Sequence, residues 1–232
     1  MKMTKQEFAS RINYTCTSPC ATKEELDQLC EDAIKYGFGV VCVGNCHVKR
    51  LREKFGDKVT ISTSVDYPLG RSTTAAKLAI AKEMVEAGTD HLDIMLNISM
   101  FLSGDYEYCE RELTEIVKQS KAINPNVICK VLAEFCYFNY QQKVDLCKII
   151  KKSGADAVKT HSGFGPGSFR IGDIFIIKEI LGDDFRIKAA GDIEDAGTAL
   201  AALQVGVYEI GNAAEDCMKM YNSFDDYIKY FE

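Results

Sequence analysis

One pattern recurs along this chain and restricts its fold more than anything else: an amphipathic helical stretch, a glycine, then a short run of apolar and β-branched residues. Residues 26–36 lead through Gly37 into Val40-Val41-Cys42-Val43, and residues 75–87 lead through Gly88 into His91-Leu92-Asp93-Ile94-Met95-Leu96. Residues 144–153 pass through Gly154 into Ala157-Val158-Lys159-Thr160, and residues 195–205 pass through Gly206 into Val207-Tyr208-Glu209-Ile210. A glycine after a helix supplies the left-handed residue that ends it, and β-branched residues favour the strand that follows. Further β-rich runs at residues 12–16, 59–65, 127–133 and 185–190 bring the count to eight. Strands alternating with helices imply βαβ units and a parallel sheet. Eight of them favour an α/β fold of the (β/α)8 TIM-barrel type over an open, doubly wound sheet, which is the other arrangement compatible with the pattern.

The 232 residues suit one barrel domain spanning residues 1–232, since such barrels commonly run to roughly 250 residues. A net charge of −6 gives no basic footprint for nucleic acid and favours a small-molecule ligand. Residues 1–10 lack the apolar run of a secretion signal, and no stretch approaches the roughly 20 apolar residues that cross a membrane, so a soluble cytoplasmic protein is expected. Among ten cysteines, Cys16/Cys20 and Cys42/Cys46 are spaced C-x-x-x-C, and His47 follows the second pair. Zinc sites usually show C-x-x-C pairs, and Cys42 falls inside an apolar strand-like run. Buried reduced thiols are the expectation, with no structural metal.

The chemistry resides in charges placed where strands should be. Lys130, Lys159 and Lys188 each stand among apolar neighbours in a β-rich run, and Asp93 does the same in residues 91–96. Burying a lysine is costly without a partner. Gathered at one end of a barrel lumen, such residues have a use: burial or a second nearby cation lowers a lysine's pKa and yields a neutral amine that attacks a carbonyl. After Lys159 comes Thr160-His161-Ser162-Gly163-Phe164-Gly165-Pro166-Gly167, whose glycines can bring backbone amides to a ligand or simply turn the chain. Gly211-Asn212-Ala213-Ala214, closing the last run, should open a short helix whose amides could hold an anion.

The segment from Val158 to Gly167 resembles the Schiff-base segment of deoxyribose-phosphate aldolase. Cys42-Val43, Tyr67-Pro68-Leu69-Gly70, the Asp93 run, Lys130-Val131-Leu132-Ala133-Glu134 and Lys188 to Gly191 follow in the family's order across residues 12–214. The resemblance implies a class I aldolase that reversibly cleaves 2-deoxyribose 5-phosphate into acetaldehyde and glyceraldehyde 3-phosphate, without metal or organic cofactor. It assigns the imine to Lys159 and proton transfer to Asp93 with Lys188. It places Asn13, Thr15 and Thr160 beside the substrate, and Gly163, Gly191 and Asn212 around the phosphate.

Four departures from the family pattern stand out. Asn13 replaces an Asp and removes one negative partner of the lysines. Asp192 and Glu194 stand where the family has a glycine and an arginine, Ala213-Ala214 replace a serine pair that caps the phosphate, and His161 occupies a position usually held by a small residue. Arg71 or Arg170 could supply the lost cation, and His161 could be an acid–base group or packed filler. Two further readings stay open: a related class I aldolase with a different, non-phosphorylated substrate, and a catalytically idle barrel that binds a metabolite. The partner is a small aldehyde or sugar phosphate, and a homo-oligomer is compatible with the sequence. The aromatic tail from Tyr221 could cover the barrel or reach toward the site.

Overall fold

The structure, a computed structural model, describes residues 2–231. Eight strands, β1 (Ile12–Cys16), β2 (Val40–Val43), β3 (Ile61–Val65), β4 (His91–Met95), β5 (Ile128–Leu132), β6 (Ala157–Lys159), β7 (Arg186–Ala190) and β8 (Glu209–Ala213), pair in sequence order and close into a parallel barrel. The closed ring excludes the open sheet. Around it run α1 (Lys5–Ser10), α2 (Lys23–Tyr36), α3 (Val48–Phe55), α4 (Thr74–Glu86), α5 (Ile98–Leu102), α6 (Tyr106–Ile123), α7 (Tyr140–Ser153), α8 (Ile171–Leu181), α9 (Ala196–Gln204) and α10 (Ala214–Tyr227).

Local chemistry sets the boundaries. Capping boxes at Thr22/Glu25 and Asn139/Gln142 start α2 and α7, satisfying amides that the first helical turn leaves open. The four glycines of the recurring pattern, Gly37, Gly88, Gly154 and Gly206, have φ of 76, 94, 77 and 101°, so each reverses the chain out of its helix as expected. The apolar core lies between barrel and helices: Val41, Leu92, Ile94, Val131, Val158 and Ile210 are buried against helix residues such as Leu26, Leu113, Ile150 and Ile177. The alternate strand positions face inward, and there the chain places charge.

The end of the barrel differs from expectation. The β-branched run stops at Ile210, yet β8 continues to Ala213, because pairing of Ile12 to Thr15 with Ile210 to Ala213 holds weak β-formers extended. The helix that follows is not short; α10 has 14 residues. Its Phe224 packs on Phe8 with ring centroids 5.0 Å apart, and Tyr221 meets Tyr36 and Phe38, so this part of the tail clads the barrel.

Candidate active site

Parallel register puts the lumen charges on neighbouring strands: Asp93 beside Lys130, Lys159 beside Lys188, and Lys188 beside Glu209. The side chains meet in a run of alternating charge. Lys159 Nζ donates to Asp93 Oδ2 at 3.1 Å, and Lys188 Nζ donates to the same oxygen at 3.0 Å. Lys188 also lies 3.6 Å from Glu209, whose carboxylate takes two 2.9 Å hydrogen bonds from Lys130. Lys130 completes its shell with His91 Nδ1 at 2.9 Å, and Asn13 donates its amide to Glu209 at 2.6 Å. Gly211 makes this possible from β8, since a Cβ there would stand 2.5 Å from Lys188 Cε.

Burial opposes every one of these charges, and the partners decide the outcome. Burial alone would raise the Asp93 pKa, but Lys188, Lys159 and Lys130 outweigh it and hold the carboxyl well below the usual range. Glu209 behaves likewise: Lys130 and Lys188 overcome burial and bring it to about 2. For Lys188 the two carboxylates overcome burial and raise its pKa. Burial, helped by the neighbouring Lys130 cation, lowers His91 to about 3, so its ring is neutral and can accept the Lys130 proton. Asp93 is fully buried, and its Oδ1 has no hydrogen-bond partner among the described residues.

A cavity of about 770 Å³ opens at the C-terminal ends of the strands, where barrels of this type carry their sites. Lys159 reaches its floor, and Thr15, Gly163, Gly191 and Asn212 line it. Five expected residues do not, among them Asp93 and Lys188, which are buried beyond Lys159. Asn13 is wholly buried below, with its amide committed to Glu209. Thr160 is also fully buried, donating to the Ala190 carbonyl and accepting from the Ala190 amide, both at 3.1 Å. Lys130 does not lie with Lys159 at one end of the lumen; it belongs to a deeper layer that abuts a small pocket lined by His91, Ile128 and Arg186. His161 is fully buried and packed against Gly191, and burial lowers its pKa.

The segment after Lys159 is held from the side. Glu134, in the left-handed region at φ 53°, accepts the Ser162 amide on both carboxylate oxygens, at 3.2 and 3.1 Å. Tyr67 donates to the Ser162 carbonyl at 2.7 Å and sets its ring 5.5 Å from Lys159 Nζ, while burial keeps its phenol protonated with a pKa of about 12. Gly165 and Gly167 are there for packing, since a Cβ at either would come within 2.8 Å of Cys136. Sequence reasoning missed Glu209, His91 and Tyr67 as parts of the site. Glu209 carried a legible signal, an acid between Tyr208 and Ile210 in a β-rich run, the same cue that singled out Asp93.

Comparison with models of known protein families gives no match. Individual relatives are clear: deoxyribose-phosphate aldolase of Caldanaerobacter subterraneus subsp. tengcongensis is 39% identical over 208 residues, covering 89% of this chain and 90% of the relative. The enzyme of that name from Thermococcus gammatolerans is 36% identical, covering 91% of this chain and 95% of its own. The chain belongs to the deoxyribose-phosphate aldolase family. A solved aldolase described as QR15 superposes with a TM-score of 0.86 at 28% identity over 97% of this chain and 99% of its own. The deoxyribose phosphate aldolase from Aeropyrum pernix, described as having a unique tetrameric structure, also gives 0.86, at 27% identity over 96% and 92%. The protein is thus a carbon–carbon lyase of the class I aldolase type. No helix among the described residues is long and apolar enough to cross a membrane.

Proposed function

We propose that this single barrel domain splits a 2-deoxyribose unit, or builds one, through an imine on Lys159. The observation that carries the reading is the shared oxygen: Lys159, which lines the cavity, and the buried Lys188 both donate to Asp93 Oδ2. An amine that attacks a carbonyl must first give up a proton, and Asp93 with Lys188 forms a fixed relay beside it. The Lys159 amine adds to the C1 aldehyde, and loss of water gives the protonated imine. That cation draws the electron pair of the C2–C3 bond into an enamine while the C3 hydroxyl loses its proton to the relay, by way of a water in the cavity. The C3 fragment departs as an aldehyde. Protonation of the enamine at C2 and addition of water then release acetaldehyde and restore Lys159. Thr15 and Asn212 contact the sugar, and Gly163 and Gly191 admit its far end close to the backbone.

Borohydride reduction in the presence of acetaldehyde tests this reading. Peptide mass analysis should find one ethyl group on Lys159, and Lys159→Met should abolish it; modification elsewhere, or none, would refute the assignment. Ten free thiols fit a reducing, cytoplasmic setting. Self-association follows the tetramer described for the Aeropyrum pernix enzyme and is read by sedimentation.

A further inference from the structure

Three lysines share two carboxylates in the lumen, and they share them unequally. Lys130 takes both oxygens of Glu209 at 2.9 Å. Lys188 stands between the carboxylates, 3.0 Å from Asp93 and 3.6 Å from Glu209. Lys159 bonds only the Asp93 oxygen that Lys188 also uses, and of the three it alone lines the cavity. With the His91 ring neutral, the lysines outnumber their counter-charges, and the run balances when one of them gives up a proton.

Burial alone would select the wrong lysine. Lys188 is 1% exposed and Lys159 6%, and both bond the same Asp93 oxygen, so desolvation presses harder on Lys188. Glu209 reverses that order, because it is the counter-charge that Lys188 has and Lys159 lacks. Asn13 fixes it in place by donating to Oε1, the oxygen that faces Lys188. Cys42 on β2, Tyr67 after β3 and Glu134 after β5 also flank the lysine pair, Glu134 being turned to the Ser162 amide. Glu25, Asp192, Glu215 and Asp216 line the cavity, but among the described residues none of them pairs with the three lysines.

We infer that Glu209 is a positioning residue for the aldol chemistry: by holding the proton on Lys188, it leaves Lys159 as the lysine that becomes the free amine. The inference rests on the reading that Lys159 forms the imine. Glu209 does not line the cavity and acts only through Lys188 and Asp93. Without it Lys188 releases its proton first, Asp93 is left to Lys159, and the Lys159 ammonium persists to higher pH.

The test is the pH dependence of retro-aldol kcat/KM with 2-deoxyribose 5-phosphate, and of borohydride trapping of acetaldehyde on Lys159. Glu209→Gln combined with Lys130→Met removes a whole ion pair, so the net charge of the run is kept while Lys188 loses its second partner. The acid limb of this variant should lie about one pH unit or more above the parent's, a loss of about tenfold below the limb and a smaller one near the optimum. Glu209→Asp, which keeps a carboxylate in the lumen, should fall between the two. Lys77→Met with Glu112→Leu, which removes a buried pair far from the site, should leave the limb unmoved. Limbs that all coincide with the parent's, with Lys159 still trapped by acetaldehyde, overturn this inference and leave the aldolase reading intact. Absence of trapping at Lys159 in the parent overturns both.

Discussion

Replacing Glu209 by Gln isolates the part of the charge run that the substrate never touches. Glu209 is 4% exposed and supplies Lys130, itself 2% exposed, with its counter-charge. The substitution keeps the shape and the Asn13 contact but takes away the carboxylate that Lys130 bonds, leaving its ammonium against the neutral His91 ring and an amide, with Asp93 acting on it without a hydrogen bond. Breaking one side of a buried pair typically costs about 3–5 kcal/mol. The carboxyl itself gives a similar figure: holding it at about 2 against an ordinary value of 4.5 is worth roughly 3 kcal/mol. Domains of this kind have total stabilities of about 5–15 kcal/mol, so the loss is large enough to measure by urea unfolding at neutral pH.

The pH dependence adds a signature. Glu209 has a depressed folded pKa, so its stabilisation is fully present above 4.5 and fades as pH falls from there toward about 2. The deficit of the variant should therefore shrink in acid. It should shrink in alkali too, for a different reason. Burial already depresses Lys130, and without Glu209 the folded variant sheds that proton before the unfolded chain does, which makes its stability rise with pH. Adding Lys130→Met should restore more than half of the loss. A deficit under about 1 kcal/mol, or one that the second substitution fails to repair, would refute the account of the lumen as a set of mutually dependent charges.

Asp93→Asn removes the negative charge shared by Lys159 and Lys188 and the group that can carry a proton between them, and should lower kcat about a hundredfold or more in the retro-aldol assay; full activity would remove Asp93 from the relay. Glu134→Ala cuts both bonds to the Ser162 amide, and KM should rise roughly tenfold with a smaller change in kcat, a split read by steady-state kinetics. Lys77 and Glu112, 2.7 Å apart and almost wholly buried between α4 and α6, test the same electrostatic rule away from the site. Lys77→Met alone should cost about 3–5 kcal/mol, and combining it with Glu112→Leu should recover most of that in urea melts; simple additivity would contradict the pairing.

Much of the barrel was legible because four of the repeats carry their own stop signal, a glycine that turns left-handed and then residues that favour a strand. The trio proposed as catalytic stood out for an energetic reason, since Lys159, Lys188 and Asp93 break the apolar pattern of core strands and such charges need partners. Depth along the lumen was not. Lys130 shows the same local pattern as Lys159, and only the stagger of parallel strands assigns one to a buried layer and the other to the cavity floor. The family resemblance implied a substrate contact for Thr160, but its side chain is buried and turned to Ala190.

Asn13 shows how a departure at one position is settled by another far away in sequence. Read alone, an amide in place of an acid leaves the lysines one negative charge short. In the barrel, Asn13 on β1 and Glu209 on the adjoining β8 are hydrogen-bonded at 2.6 Å, so the charge is supplied from the neighbouring strand, and Asn13 orients the residue that carries it. The lumen needs a balance of charge more than it needs any one residue to provide it. By the same reasoning Asn13→Asp should not improve the enzyme. It would place a second carboxylate 2.6 Å from Glu209, where two like charges cannot both ionise, and one of them would take up a proton near neutral pH. Stability should then fall as pH rises from 5 to 8, a trend opposite in sign to that of the parent acid pairs. A variant that is uniformly more stable across that range would show that the lysines were short of negative charge after all.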